Sequence, residues 1–115
     1  MRLHAHRISR TMLARPVHLL HTAVLLDDPQ PDISRMAIRT LSRAAWEPAV
    51  PSLVALLGHT HPTVRREAAE GLLLMGGPAV PALRHAAARA RPDKRSRYTG
   101  LLDRLAATGD GLSTP

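Results

Sequence analysis

The sequence predicts an all-α fold: a short right-handed α-solenoid of about three helical hairpins plus a closing helix. Three observations predict it. Residues 30–41 (QPDISRMAIRTL) are echoed by residues 61–72 (HPTVRREAAEGL), and the two prolines, Pro31 and Pro62, are 31 positions apart. A second echo sets Pro48-Ala49-Val50-Pro51-Ser52-Leu53 against Pro78-Ala79-Val80-Pro81-Ala82-Leu83, at an offset of 30. A fixed period in this range marks one supersecondary unit stacked on copies of itself. Third, counting from the prolines at 31, 62 and 92, apolar or small residues recur at offsets 2, 6, 9–10 and 13 (Ile33, Ala37, Leu41 and Ala44; Val64, Ala68, Leu72 and Met75). That spacing is one stripe of a helix with 3.6 residues per turn.

Each element follows from local chemistry. Residues 4–14 are the weakest copy of the first helix of a hairpin (the A helix), with Ile8, Met12 and Leu13 inside. Residues 16–26 align with the second (B) helix, Leu25-Leu26 matching Leu56-Leu57. The remaining A helices are expected at about 32–45, 63–75 and 93–107. Each follows a proline, which suits a first turn because its missing amide would be unpaired there anyway. Ala37 and Ala68 at offset six let neighbouring helices approach closely, and Gly71 in a helix interior costs about 1 kcal/mol relative to Ala unless tight packing requires it. The A helices end in Ala45-Trp46-Glu47 or Gly76-Gly77, and B helices follow at about 48–58 and 78–90. Their inner stripes are Val50, Leu53, Val54 and Leu57, then Val80, Leu83 and Ala87. The repeats therefore run at about 4–30, 31–60 and 61–91, with a closing helix at 92–107, in one domain of residues 1–107. Residues 108–115, rich in Gly, Ser and Thr, read as a flexible tail.

Composition narrows the function classes. There is no cysteine, hence no disulfide framework and no thiolate metal site. No apolar run approaches the roughly 18 residues of a membrane helix, and the basic start lacks the apolar stretch of a secretory signal, so a cytoplasmic protein is the default. The net charge of +7 is concentrated at the two ends of the chain, with Arg2, Arg7, Arg10 and Arg15 at one and Arg84, Arg89, Arg91, Lys94, Arg95, Arg97 and Arg104 at the other. Basic ends suit phosphates. A compositional bias toward arginine, with a single lysine and no phenylalanine, explains the same charge without a partner and is the preferred account.

Seven histidines include the pairs His4/His6, His59/His61 and His18/His21. Zinc needs three or four converging ligands; pairs in loops and at helix ends are more simply solvated, so no metal site and no cofactor is expected. No nucleophile–base motif is present, so no catalytic residues are expected. Arg35, Arg39 and Arg43 lie at i, i+4 and i+8 on the outer face of one A helix, and Arg65, Arg66, Arg95 and Arg97 follow in the next two. These form a candidate phosphate-binding strip, or a solvated face partly neutralised by Glu67 and Glu70, the latter being preferred. Trp46 occupies a turn position where the next repeat has glycine, either covering the junction or anchoring a partner.

The ankyrin and tetratricopeptide signatures are absent. Residues 62–72 (PTVRREAAEGL), followed by Gly76-Gly77-Pro78-Ala79-Val80-Pro81-Ala82-Leu83, resemble a short HEAT-like repeat, in the form seen in bacterial proteins related to the phycobilin-lyase HEAT-like group. The first full repeat departs at Ser34, where the pattern prefers Arg, and at Trp46; the third A helix departs at Lys94. The His-Glu dipeptides with which HEAT-repeat hydroxylases hold iron do not occur here. What the resemblance implies is a non-catalytic scaffold that binds another protein on its B-helix face and inter-repeat loops, through Trp46, His59, His61, Arg84, His85, Arg89 and Arg91. The alternatives are nucleic-acid binding through the arginine strip and the basic ends, and a helper role for a metabolic enzyme. The N-terminal helix, a poor cap for a solenoid, is a candidate homo-oligomer contact.

Overall fold

The computed structural model describes residues 15–113, so the expected helix at 4–14, the homo-oligomer contact built on it and the His4/His6 pair lie outside the described residues. Six helices follow in order: α1 (Arg15–Val24), α2 (Pro31–Arg43), α3 (Val50–Leu56), α4 (Pro62–Met75), α5 (Val80–Arg89) and α6 (Ser96–Ser113). Short 3-10 turns at Leu25–Asp27, Glu47–Ala49 and Gly77–Ala79 join them. Helices α2, α4 and α6 form the A row and α1, α3 and α5 the B row. The heaviest packing is α2 on α4, then α5 on α6 and α3 on α4. The smallest dimension is 20 Å, the thickness of two helix layers of about 10 Å each.

The prolines act as the spacing predicts, with one refinement. Pro31 and Pro62 open α2 and α4, whose first bonds go to the Gln30 and His61 carbonyls (Ile33 N to Gln30 O, 3.1 Å; Arg65 N to His61 O, 3.1 Å). The B helices begin at Val50 and Val80 rather than at 48 and 78. Pro51 and Pro81 have no amide to donate four residues back, so the chain closes first with tighter bonds, Ala49 N to Trp46 O at 3.1 Å and Ala79 N to Gly76 O at 2.9 Å.

Helix ends obey the same repeat. Ala45 and Gly76 occupy equivalent positions after α2 and α4 and both have positive φ, 52° and 74°. Around Ala45, the Trp46 amide donates to Leu41 O (3.1 Å) and the Ala45 amide to Ser42 O (3.0 Å), a Schellman closure that favours glycine at the left-handed residue.

The last A helix departs from expectation. Residues 92–95 form a turn, with Lys94 N on Arg91 O (2.9 Å), and α6 starts at Ser96. Its register position holds Lys94, fully exposed, where α4 holds the fully buried Val64; a lysine does not enter that apolar slot. At its other end α6 is helical through Ser113, over residues that composition assigns to a tail. No proline lies between 93 and 114 to interrupt a ladder that gains one bond per added residue.

The core is one contiguous cluster running from Leu19 to Leu101, with Ile38, Leu41, Leu53, Val64, Leu72 and Leu83 fully enclosed. Ala37 and Ala68 are also fully buried at the α2/α4 crossing. Gly71 lies against α2 so closely that a Cβ there would overlap Ser42 Oγ and come within 3.1 Å of Ile38 Cγ2. One stripe position shifts: Ile33 is half-buried and its neighbour Ser34 is enclosed, for a reason given next.

Candidate interaction surface

Several arginines of the A row are engaged inside the protein. Glu67 on α4, only 9% exposed, accepts from Arg39 of α2 through both Nε and Nη2 at 2.8 Å, and Arg35 Nε approaches the same oxygen at 3.5 Å. Arg35 also faces Asp32 at 3.8 Å. Two members of the predicted arginine strip thus form an inter-repeat clamp on one buried carboxylate. Arg43, one turn on, lines an open groove of about 760 Å³ between α1 and α2 with His18, Leu19, Met36 and Thr40.

A second set performs a task that pattern reading missed. The residue at offset three in each repeat reaches back to carbonyls at or just beyond the end of the preceding B helix. Ser34 Oγ lies 3.1 Å from Leu26 O and 2.9 Å from Asp28 O. Arg65 Nη1 donates to His59 O (2.7 Å) and Thr60 O (3.1 Å). Arg95 donates to Ala87 O through Nε and to Ala90 O through Nη2, both at 3.1 Å. Helix C-termini leave carbonyls without partners, and a cationic donor also suits the negative end of the dipole. The signal for this role was the constant offset, masked by the difference between Ser and Arg. Arg66 is exposed, and Arg97 is half-buried with its guanidinium over Gly58.

Trp46 is half-buried and packs against the core cluster at the α2–α3 junction. His59 and His61 stack with ring centroids 5.5 Å apart, and His59 Nδ1 accepts from the His61 amide at 3.0 Å. Among the described residues no group of three or more His, Asp or Glu side chains converges as a metal ligand set.

The B row presents a different chemistry. Its outward positions align repeat by repeat. Leu20, Pro51 and Pro81 form one row, and Val24, Ala55 and His85 a second; all six are exposed, Val24 by 72%. No acidic residue occurs in α1, α3 or α5. Arg84, Arg89 and Arg91, beside these rows, are exposed and make no ion pair among the described residues. The structure therefore separates a mixed-charge, internally bonded A face from a B face whose helices carry exposed apolar rows and no acid.

No helix of the described residues is long and apolar enough to cross a membrane. No curated protein and no solved structure matches the chain. The family model for HEAT repeats matches residues 21–101, most of the chain and nearly all of the stacked region. With its helical hairpins stacked in two rows, the chain belongs to the HEAT-repeat family.

Proposed function

We propose that this protein is a non-catalytic scaffold that binds another protein on its B-helix face and the adjoining loops. The residues assigned to that contact are Trp46, His59, His61, Arg84, His85, Arg89 and Arg91. HEAT repeats commonly mediate protein–protein interaction. The observation that carries the reading is the division of charge: Arg35, Arg39, Arg65 and Arg95 are engaged by Glu67 and by carbonyls at or beyond helix ends, whereas Arg84, Arg89 and Arg91 make no ion pair among the described residues. A cytoplasmic setting, and kinship with the short bacterial repeats of the phycobilin-lyase group, belong to the same proposal and rest on the sequence resemblance.

The test is retention of proteins by the immobilised full chain from a nuclease-treated extract of cells that make it, at about 0.15 M salt. The proposal expects proteins held by the wild type, lost with an Ala55→Glu/Arg89→Glu variant, and kept with Arg43→Ala/Arg66→Ala. Retention indifferent to the B-face changes overturns it. The nucleic-acid alternative predicts instead that labelled duplex DNA or RNA binds at the same salt and is released by Arg43→Ala/Arg66→Ala, two A-row arginines without an internal bond among the described residues.

A further inference from the structure

The B face has enough chemical character to specify what kind of polypeptide fits it. Across α3 it is uncharged, with Pro51, Ser52 and Ala55 as its exposed side chains. Leu20 and Val24 on α1 continue the apolar surface on one side. On the other side α5 adds Pro81 and His85, with Arg84 at its middle and Arg89 at its C-terminal end, neither in an ion pair among the described residues. Three helices about 10 Å apart make such a strip about 20 Å wide between outer axes, the span of about six extended residues.

We infer that this face takes a linear segment of a partner protein in which apolar side chains are followed by acidic ones, the apolar part on α1 and α3 and the acids on Arg84 and Arg89. The inference rests on the scaffold reading above and names the chemistry of its partner. Charge complementarity carries it. No B helix carries an acid, and neither Arg84 nor Arg89 makes an ion pair among the described residues. Arg84 borders a groove with Asp103 of α6, so Arg89 is the cation more open to a partner carboxylate, which matches the guanidinium fork.

The same facts argue against other occupants. A second copy of this face offers no acid to Arg84 and Arg89, because no B helix carries one, so two copies meeting here would leave these cations unmatched. A nucleic acid would lie on prolines and aliphatic groups with nothing flat to stack on, since the single Trp and single Tyr are half-buried elsewhere. The B-helix N-termini hold no phosphate cradle either, because Pro51 and Pro81 remove amides there.

The deciding experiment is selection of a random linear peptide library on the full chain at about 0.15 M salt, followed by anisotropy titration of the selected peptides, with labelled duplex DNA as a parallel probe. The inference expects winners that combine aliphatic or aromatic residues with an excess of Asp and Glu on one side. Their affinity should fall at least about tenfold with Ala55→Glu and with Arg84→Ala/Arg89→Ala, and less with Arg43→Ala/Arg66→Ala. Ala55, Arg84 and Arg89 are exposed, and circular dichroism of each variant is the check that its helices are kept. Winners that need the B face but show no acidic excess overturn the inference and leave the scaffold reading standing. Winners indifferent to the B-face changes, an empty selection, or tight DNA binding in its place overturn both.

Discussion

Arg65 and Arg66 are adjacent on α4, yet only one of them holds the fold. Arg65 donates to two carbonyls beyond the end of α3, whereas Arg66 projects into solvent without a hydrogen bond among the described residues. Removing the first leaves those loop carbonyls short of a donor, a loss of about 1 kcal/mol for a partly exposed charged hydrogen bond. Arg65→Ala is therefore expected to lower the unfolding free energy measured in urea by that amount, while Arg66→Ala stays within about 0.5 kcal/mol of the parent. Equal effects would refute the capping role. Ser34→Ala belongs with Arg65→Ala, because the Ser34 hydroxyl serves the Leu26 and Asp28 carbonyls at a fully enclosed position. At this scale the sequence was only partly legible. Ser34 looked like a lapse from a repeat that prefers Arg, and Arg65 and Arg95 looked like members of a basic strip. Both side chains donate to carbonyls, and that shared chemistry appears only once the preceding helix end is known to lie beside them.

Helix α4 sits on α2 through the smallest side chains either possesses. Ala37, Ala68 and Gly71 are enclosed there, and the space where Gly71 would carry a Cβ is occupied by Ser42 Oγ. Gly71→Ala brings two opposed effects: a helix-propensity gain of about 1 kcal/mol and an overpacking cost of about 1–3 kcal/mol. The overlap with Ser42 makes the cost dominate, so Gly71→Ala alone is expected to destabilise by about 1 kcal/mol. In a Ser42→Ala background the clashing oxygen is gone and Ile38 Cγ2, at 3.1 Å, is the remaining close neighbour. The same change should then be neutral or stabilising, a coupling of at least about 1 kcal/mol in a double-mutant cycle by thermal or urea unfolding. Additive effects would show that the helices are not in contact at this point. Elements of this kind were the most legible part of the sequence. Proline at the start, alanine at offset six and the breaks at Ala45-Trp46-Glu47 and Gly76-Gly77 placed α2 and α4 to within a residue or two. The closing helix was not, because Pro92 carries the start signal without the apolar residue that Val64 supplies one repeat earlier.

At the scale of the whole molecule, the described hairpins share one core, so the array should unfold as a unit. A single HEAT hairpin cannot bury its own apolar face; each relies on its neighbour, and stability is the sum of repeat and interface terms. The continuity of the cluster from Leu19 to Leu101 means that a defect at one end is felt at the other. Trp46, the only tryptophan, reports from the α2–α3 junction, whereas Leu83 lies fully enclosed on α5. Leu83→Ala should cost about 2–5 kcal/mol through lost burial and the cavity left behind, a large part of the roughly 5–15 kcal/mol that holds a typical domain. Followed in urea, Trp46 fluorescence and far-ultraviolet circular dichroism should give coincident transitions in the parent and, after Leu83→Ala, shift together to the same lower midpoint. A Trp46 transition that stays in place while the dichroism splits into two steps would mean that the repeats melt separately. The scaffold role depends on this outcome. A face assembled from three B helices presents fixed rows to a partner only if the helices keep their relative positions, and coincident transitions are the direct measure of that coupling.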